Sequence, residues 1–123
     1  MPNSRQVAIS ATDPLGLDMV AYQRTMDAHR LKHPEPFTDV DVVEGYEDPD
    51  MIALSGHEIP SHRMRYVYYR KKDWEDEGPE MMKLVVDHGS KPGVLVSAFR
   101  TSKYTQDGAI VHIREGYFKE RMR

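Results

Sequence analysis

Two histidines, His29 and His33, stand four residues apart at the end of Gln23 to Lys32, a run of good helix formers with no Gly or Pro. Four residues is about one helical turn, so both imidazoles share a face if the helix reaches His33. Imidazole titrates near neutrality, and such a pair beside a phosphate can serve as acid and base. The same pair also reads as a solvated helix end, where a histidine favours the dipole. A metal reading lacks an obvious third ligand. His57 and His62 flank a Pro-containing loop and would have to fold onto the pair, since zinc needs three or four converging ligands. The expectation is no metal and no cofactor.

A second group lies in Arg63-Met64-Arg65-Tyr66-Val67-Tyr68-Tyr69-Arg70-Lys71-Lys72, which interleaves five basic residues with three tyrosines. On a strand, odd and even positions point to opposite faces. Arg65 or Arg70 would then hold a phosphate while a tyrosine stacks on a base, as in single-strand binders. The plainer alternative is a two-faced strand whose tyrosines pack and whose arginines meet solvent or acids. Lys83 opens an apolar run, where it either faces a site or marks a wet strand end. Ser97 sits among Val94, Leu95, Val96, Ala98 and Phe99, so its hydroxyl either bonds to backbone or faces a cavity. Arg100, Thr101 and Lys103 follow on the exit from that run, where polar groups can converge on a ligand. There is no Gly-x-Ser-x-Gly, no Gly-x-x-x-x-Gly-Lys and no dinucleotide fingerprint.

The elements that must carry these residues are legible in outline. Val7 to Ser10 is a short strand candidate, and Asp13-Pro14-Leu15-Gly16 has turn chemistry. Leu17 to Tyr22 returns as a second strand or already belongs to the first helix. Pro34 and Pro36 stop that helix. Thr38-Asp39-Val40-Asp41 opens another, with Thr38 as N-cap and Val40, Val43 and Tyr46 spaced for one buried face. Strands are expected at Met51 to Ser55, His62 to Lys71, Met81 to His88 and Val94 to Phe99, the last central, with Ala109 to Ile113 a further candidate. Gly89-Ser90-Lys91-Pro92-Gly93 reads as a hairpin connector. The expected fold is α+β: N-terminal short strands and two helices packed on one face of a roughly four-stranded antiparallel sheet. One domain spans 1–123, with its core at about 10–113 and a charged tail at 114–123.

Composition bounds the function. An apolar content of 39% and a charged content of 30% suit a packed domain rather than a disordered chain. The absence of cysteine excludes disulfides, thiolate zinc sites and a cysteine nucleophile. No secretory signal and no apolar run of membrane-spanning length is apparent, so a cytoplasmic chain without a membrane partner is expected. The net charge of −3 opposes a nucleic-acid partner, but Asp73 to Glu80 concentrates five acids. Outside that segment 17 basic residues face 15 acidic ones, a balance of +2, so the charge is segregated.

Three pieces, in order, carry a family resemblance: Ala28-His29-Arg30-Leu31-Lys32-His33-Pro34-Glu35, then Asp48-Pro49-Asp50-Met51-Ile52-Ala53-Leu54-Ser55, then Lys83-Leu84-Val85-Val86 with Val94-Leu95-Val96-Ser97-Ala98-Phe99-Arg100-Thr101. The layout resembles the phage-type branch of the barnase, EndoU, colicin and RelE-like (BECR) nucleases over roughly residues 10 to 105. The resemblance implies metal-independent RNA cleavage, in which the ribose 2′-OH attacks its own 3′-phosphate. It places the helix-end histidine at His33 and the last-strand hydroxyl at Ser97, where the pattern more often has Thr. A histidine one turn earlier falls on Ala28 or His29, depending on register. Arg65, Arg70, Lys83, Arg100 and Thr101 would then serve phosphate or RNA. Implied partners are RNA, either tRNA or mRNA, and an immunity or antitoxin protein. The alternative is a protein-binding module from a phage or mobile element that keeps the fold without chemistry and offers its acidic segment to a basic partner.

Overall fold

A tight turn at Asp13 to Leu17 joins the first two strands, β1 (Val7–Thr12) and β2 (Asp18–Tyr22), which pair antiparallel. Asp13 Oδ1 accepts the backbone N–H of Leu15 and Leu17 at 2.9 and 2.8 Å. Gly16 takes φ +83°, a region that glycine enters without a Cβ penalty. The computed structural model describes residues 6–33, 35–55, 64–102 and 108–114.

Two helices follow, α1 (Gln23–Lys32) and α2 (Asp39–Glu47). Thr38 caps α2 with a reciprocal box: its hydroxyl accepts Asp41 N–H, and Asp41 Oδ2 accepts Thr38 N–H at 2.8 Å. Of the expected Val40, Val43 and Tyr46 face, Tyr46 is buried and Val43 packs partly buried against the core, and only Val40 is corrected. Val40 is 60% exposed, and α2 buries Asp41, Val42, Gly45 and Tyr46. The rotation follows from Asp41, which is drawn inward by Lys72 and by Trp74 Nε1 at 3.1 Å.

The remaining strands are β3 (Met51–Leu54), β4 (Arg65–Lys71), β5 (Met81–Asp87), β6 (Gly93–Thr101) and β7 (Ile110–Ile113). Their order with the hairpin is β1-β2-β6-β5-β4-β3-β7, and all pairs are antiparallel except β2 with β6. The class is α+β, but among the described residues the sheet has seven strands and is mixed, not four-stranded and antiparallel. The N-terminal hairpin joins the sheet because β2 meets β6 in parallel at Met19↔Gly93 and Val20↔Val94. A parallel contact needs a long crossover, and here α1 through β5 supply it. Neighbours so distant in sequence leave no local signal.

The core lies between the helices and one sheet face, where Met26, Val42 and Tyr46 pack against Ile52, Tyr68, Met82, Leu84, Val86, Leu95 and Ala98. Alternation sends Met51, Tyr69, Lys83, Ser97, Phe99 and Thr101 to the opposite, outer face. Among the described residues no helix is long and apolar enough to cross a membrane.

Candidate functional site

Where β2 stops pairing, α1 continues along the edge of β6. The β5–β6 register shifts after Val85↔Ser97, leaving Val96 outside the pairing, and its carbonyl accepts His29 Nε2–H at 3.0 Å. His29 Nδ1 is buried without a hydrogen-bond partner. The helix ends at Lys32, and His33 is its C-cap, with its N–H bonded to the His29 carbonyl at 3.0 Å. The two rings still stack, 5.9 Å apart and 9° from parallel.

His33 in turn stacks on Phe99 at 5.0 Å. Phe99 pairs with Lys83, Lys83 with Tyr69, and Tyr69 with Met51, giving one row across four strands. The Lys83 ammonium lies 5.6 Å from both the Phe99 and Tyr69 ring centroids. Cation–π attraction at this range holds it over the rings. Ser97 and Thr101 lie on the same outer face, one row to either side of Phe99. Thr101 also lines a cleft of about 620 Å³ with Lys71, Pro79, Glu80 and Met81. Arg65 shares the face further along β4, 3.7 Å from Asp87, with its Nε lacking a hydrogen-bond partner.

The other two expected arginines belong elsewhere. Arg70 bonds the carbonyl and carboxylate of Asp48 at the end of α2, at 2.5 and 2.9 Å. Arg100 is buried and donates to Pro36 O, Pro79 O and both Asp76 oxygens, with its guanidinium 4.2 Å from the Trp74 ring centroid. Both guanidinium groups bond partners within the fold, although Arg70 Nε is buried without one, and alternation turns both side chains away from the His33 row. Arg63, Lys103, His57 and His62 lie outside the described residues, as does the charged tail beyond Arg114. Arg114 itself pairs with Asp48 and Asp50 at 2.8 Å each. Among the described residues, no group of three or more His, Asp or Glu is placed to hold a metal ion.

A second polar centre, which the sequence reading passed over, sits on the helix-facing side. Tyr68 O–H donates to Asp13 Oδ2 at 2.6 Å, and His88 Nε2 lies 2.9 Å from the same phenol oxygen. Tyr46 O–H donates to the Leu17 carbonyl at 2.8 Å and stands 3.5 Å from His88 Nε2. Burial pushes the His88 pKa below its ordinary value, although Asp13 and Asp87 oppose the shift. Burial, then the bond to Asp13, raises the Tyr68 phenol far above its ordinary range. His88 also lines a cleft of about 810 Å³ between the β1–β2 hairpin and the β5–β6 connector. Its only sequence signals were a turn aspartate and a histidine before a Gly-Pro connector, 75 positions apart.

Compared with known families, curated proteins and solved structures, the chain matches none.

Proposed function

We propose that this chain is an RNA-cleaving domain of the barnase, EndoU, colicin and RelE-like type, working on the outer face of the sheet. The observation that supports the reading is the row His33–Phe99–Lys83, in which an imidazole and an ammonium flank one aromatic ring. His33 would take the proton of the ribose 2′-OH as its oxygen attacks phosphorus. The bond from phosphorus to the 5′-oxygen breaks, that oxygen takes a proton from solvent and leaves as a 5′-hydroxyl, and the other product ends in a 2′,3′-cyclic phosphate. Lys83 would offset charge on the phosphate oxygens, Ser97 and Thr101 would donate hydrogen bonds to them, and Arg65 would hold a neighbouring phosphate. His29, tied to Val96, positions His33 rather than touching RNA.

The test is incubation of purified protein with labelled tRNA and mixed RNA in EDTA, beside His33→Ala and Lys83→Ala. Cleavage to cyclic-phosphate ends should fall by about a hundredfold or more in His33→Ala, the usual scale of a lost acid–base group. Equal cleavage by wild type and both variants would remove the reading.

The second reading, a non-catalytic protein-binding module, draws on the acidic connector. Asp76 is clamped to Arg100 while Glu75 and Glu77 stay exposed, which presents an ordered acidic surface. A basic partner whose binding is lost in Glu75→Lys, Glu77→Lys, with no RNA cleavage, would favour it.

A further inference from the structure

The polar centre at His88 lies across the sheet from the His33 row and stands apart from the RNA reading. It fastens the Asp13–Leu17 turn to the rest of the fold. Asp13 Oδ2 accepts Tyr68 O–H at 2.6 Å, and the Leu17 carbonyl accepts Tyr46 O–H at 2.8 Å. His88 Nε2 stands beside both phenols, 2.9 Å from the Tyr68 oxygen and 3.5 Å from that of Tyr46. One imidazole thus backs both bonds that reach the turn.

The rest of the hairpin is held differently. Ile9, Ala11, Met19 and Ala21 anchor its body in the core. Among the described residues β2 meets β6 only at Met19↔Gly93 and Val20↔Val94, and Pro14, Leu15, Gly16 and Asp18 are exposed. The turn is therefore the end that can part while the body stays packed. Thr12, Gly16, Leu17 and Asp18 also line the cleft of about 810 Å³, so an outward turn widens it.

The ring's surroundings disfavour a charge. Tyr66 meets it edge-on at 5.0 Å, Tyr46 and Tyr68 flank it, and Nδ1 lies against Gly93, where an added Cβ would collide with it. Asp13 and Asp87 favour protonation, but burial outweighs them. Both carboxylates are already engaged, Asp13 by Tyr68 and the N–H groups of Leu15 and Leu17, Asp87 by Gly89 N–H and, at 3.7 Å, by Arg65. The other charged groups lining the cleft are Asp18 of β2, Glu47 of α2 and Lys91 of the β5–β6 connector. An imidazolium is better hydrated once the turn has moved, and a proton held more tightly by the open form shifts the balance toward it. We propose that His88 is an acid-sensitive latch, whose protonation favours release of the Asp13–Leu17 turn and so opens the cleft beside it.

Magnetic resonance of the wild-type protein reads both halves of the device. The His88 Cε1 shift follows protonation, and exchange of the Asp13 and Leu17 amides, bonded to Leu17 O and Asp13 Oδ1, follows the turn. After correction for intrinsic exchange, their protection is expected to fall by up to about tenfold per pH unit below about 6.5. The fall should level off where His88 titrates in the folded protein. Low urea should leave these amides unmoved while it speeds exchange at Leu84, the mark of a local opening. His88→Gln should abolish the pH dependence. Constant protection at the turn from about pH 7.5 to about pH 5, the urea dependence of Leu84 at the turn amides, or an unaltered pH dependence in His88→Gln would each overturn the proposal. Where that variant does not fold, the wild type decides alone: a plateau away from the His88 titration has the same force.

Discussion

Tyr68 is fully buried, and its hydroxyl serves Asp13 and His88 at once. Tyr68→Phe keeps the ring but strips a buried carboxylate of a donor and His88 Nε2 of its nearest hydrogen-bond partner. The expected cost is about 1–3 kcal/mol, the scale of leaving buried polar groups unpaired, read as a lower urea midpoint at unchanged slope. His88 supplies a pH test. Its folded pKa is lowered, so between about 6.5 and that lower value the unfolded chain binds more protons than the folded one. Stability therefore rises with pH through this window and falls on acidification. His88→Gln should flatten the change between about pH 7.5 and about pH 5.5. An unchanged slope in that variant would mean that His88 is not the group responsible.

At the scale of elements, α2 depends on its cap and on one small residue. Thr38→Ala removes half of the capping box and is expected to cost about 1 kcal/mol. Gly45 faces β5, where an added Cβ would lie 3.3 Å from Leu84 Cδ1. Gly45→Leu should thus lift the helix and cost about 1–3 kcal/mol by overpacking; a thermal midpoint equal to wild type would contradict this contact. Thr38 as a cap was readable from local chemistry, as were the C-terminal end of α1 and the strand at Met51, whereas the start of α1 stayed open between strand and helix. The rotation of α2 was not. An aspartate at its third position was read for the dipole, whereas its partners Lys72 and Trp74 arrive from a connector about 30 residues on.

Across the whole molecule, protection should follow the sheet order. β4, β5 and β6 are paired on both sides, whereas β1 and β7 are edges. Native-state hydrogen exchange should therefore show the slowest amides in Leu84 to Val86 and faster ones in β7 and the outer side of β1. Uniform protection of β1 and β5 would indicate that the hairpin does not open separately. The sheet also divides two polar centres: the His33 row on its outer face and the Asp13–Tyr68–His88 network among the helices. Variants at one should leave the other's readouts unmoved, because no residue belongs to both.

Local patterning by itself determined the class, both helices and most strand positions, since caps, prolines and apolar runs act over a few residues. It also singled out Lys83, Ser97, Thr101 and Arg65, which share one sheet face, and His33, the α1 C-cap that stacks on Phe99 of that face. Tertiary structure alone decided that Arg70 and Arg100 serve the fold, because their carboxylate and carbonyl partners are more than 20 positions away. It alone joined β2 to β6 and brought Asp13 to Tyr68 and His88. Those contacts depend on crossovers and on the packing of α2, and long-range pairing of that kind leaves no periodic trace along the chain.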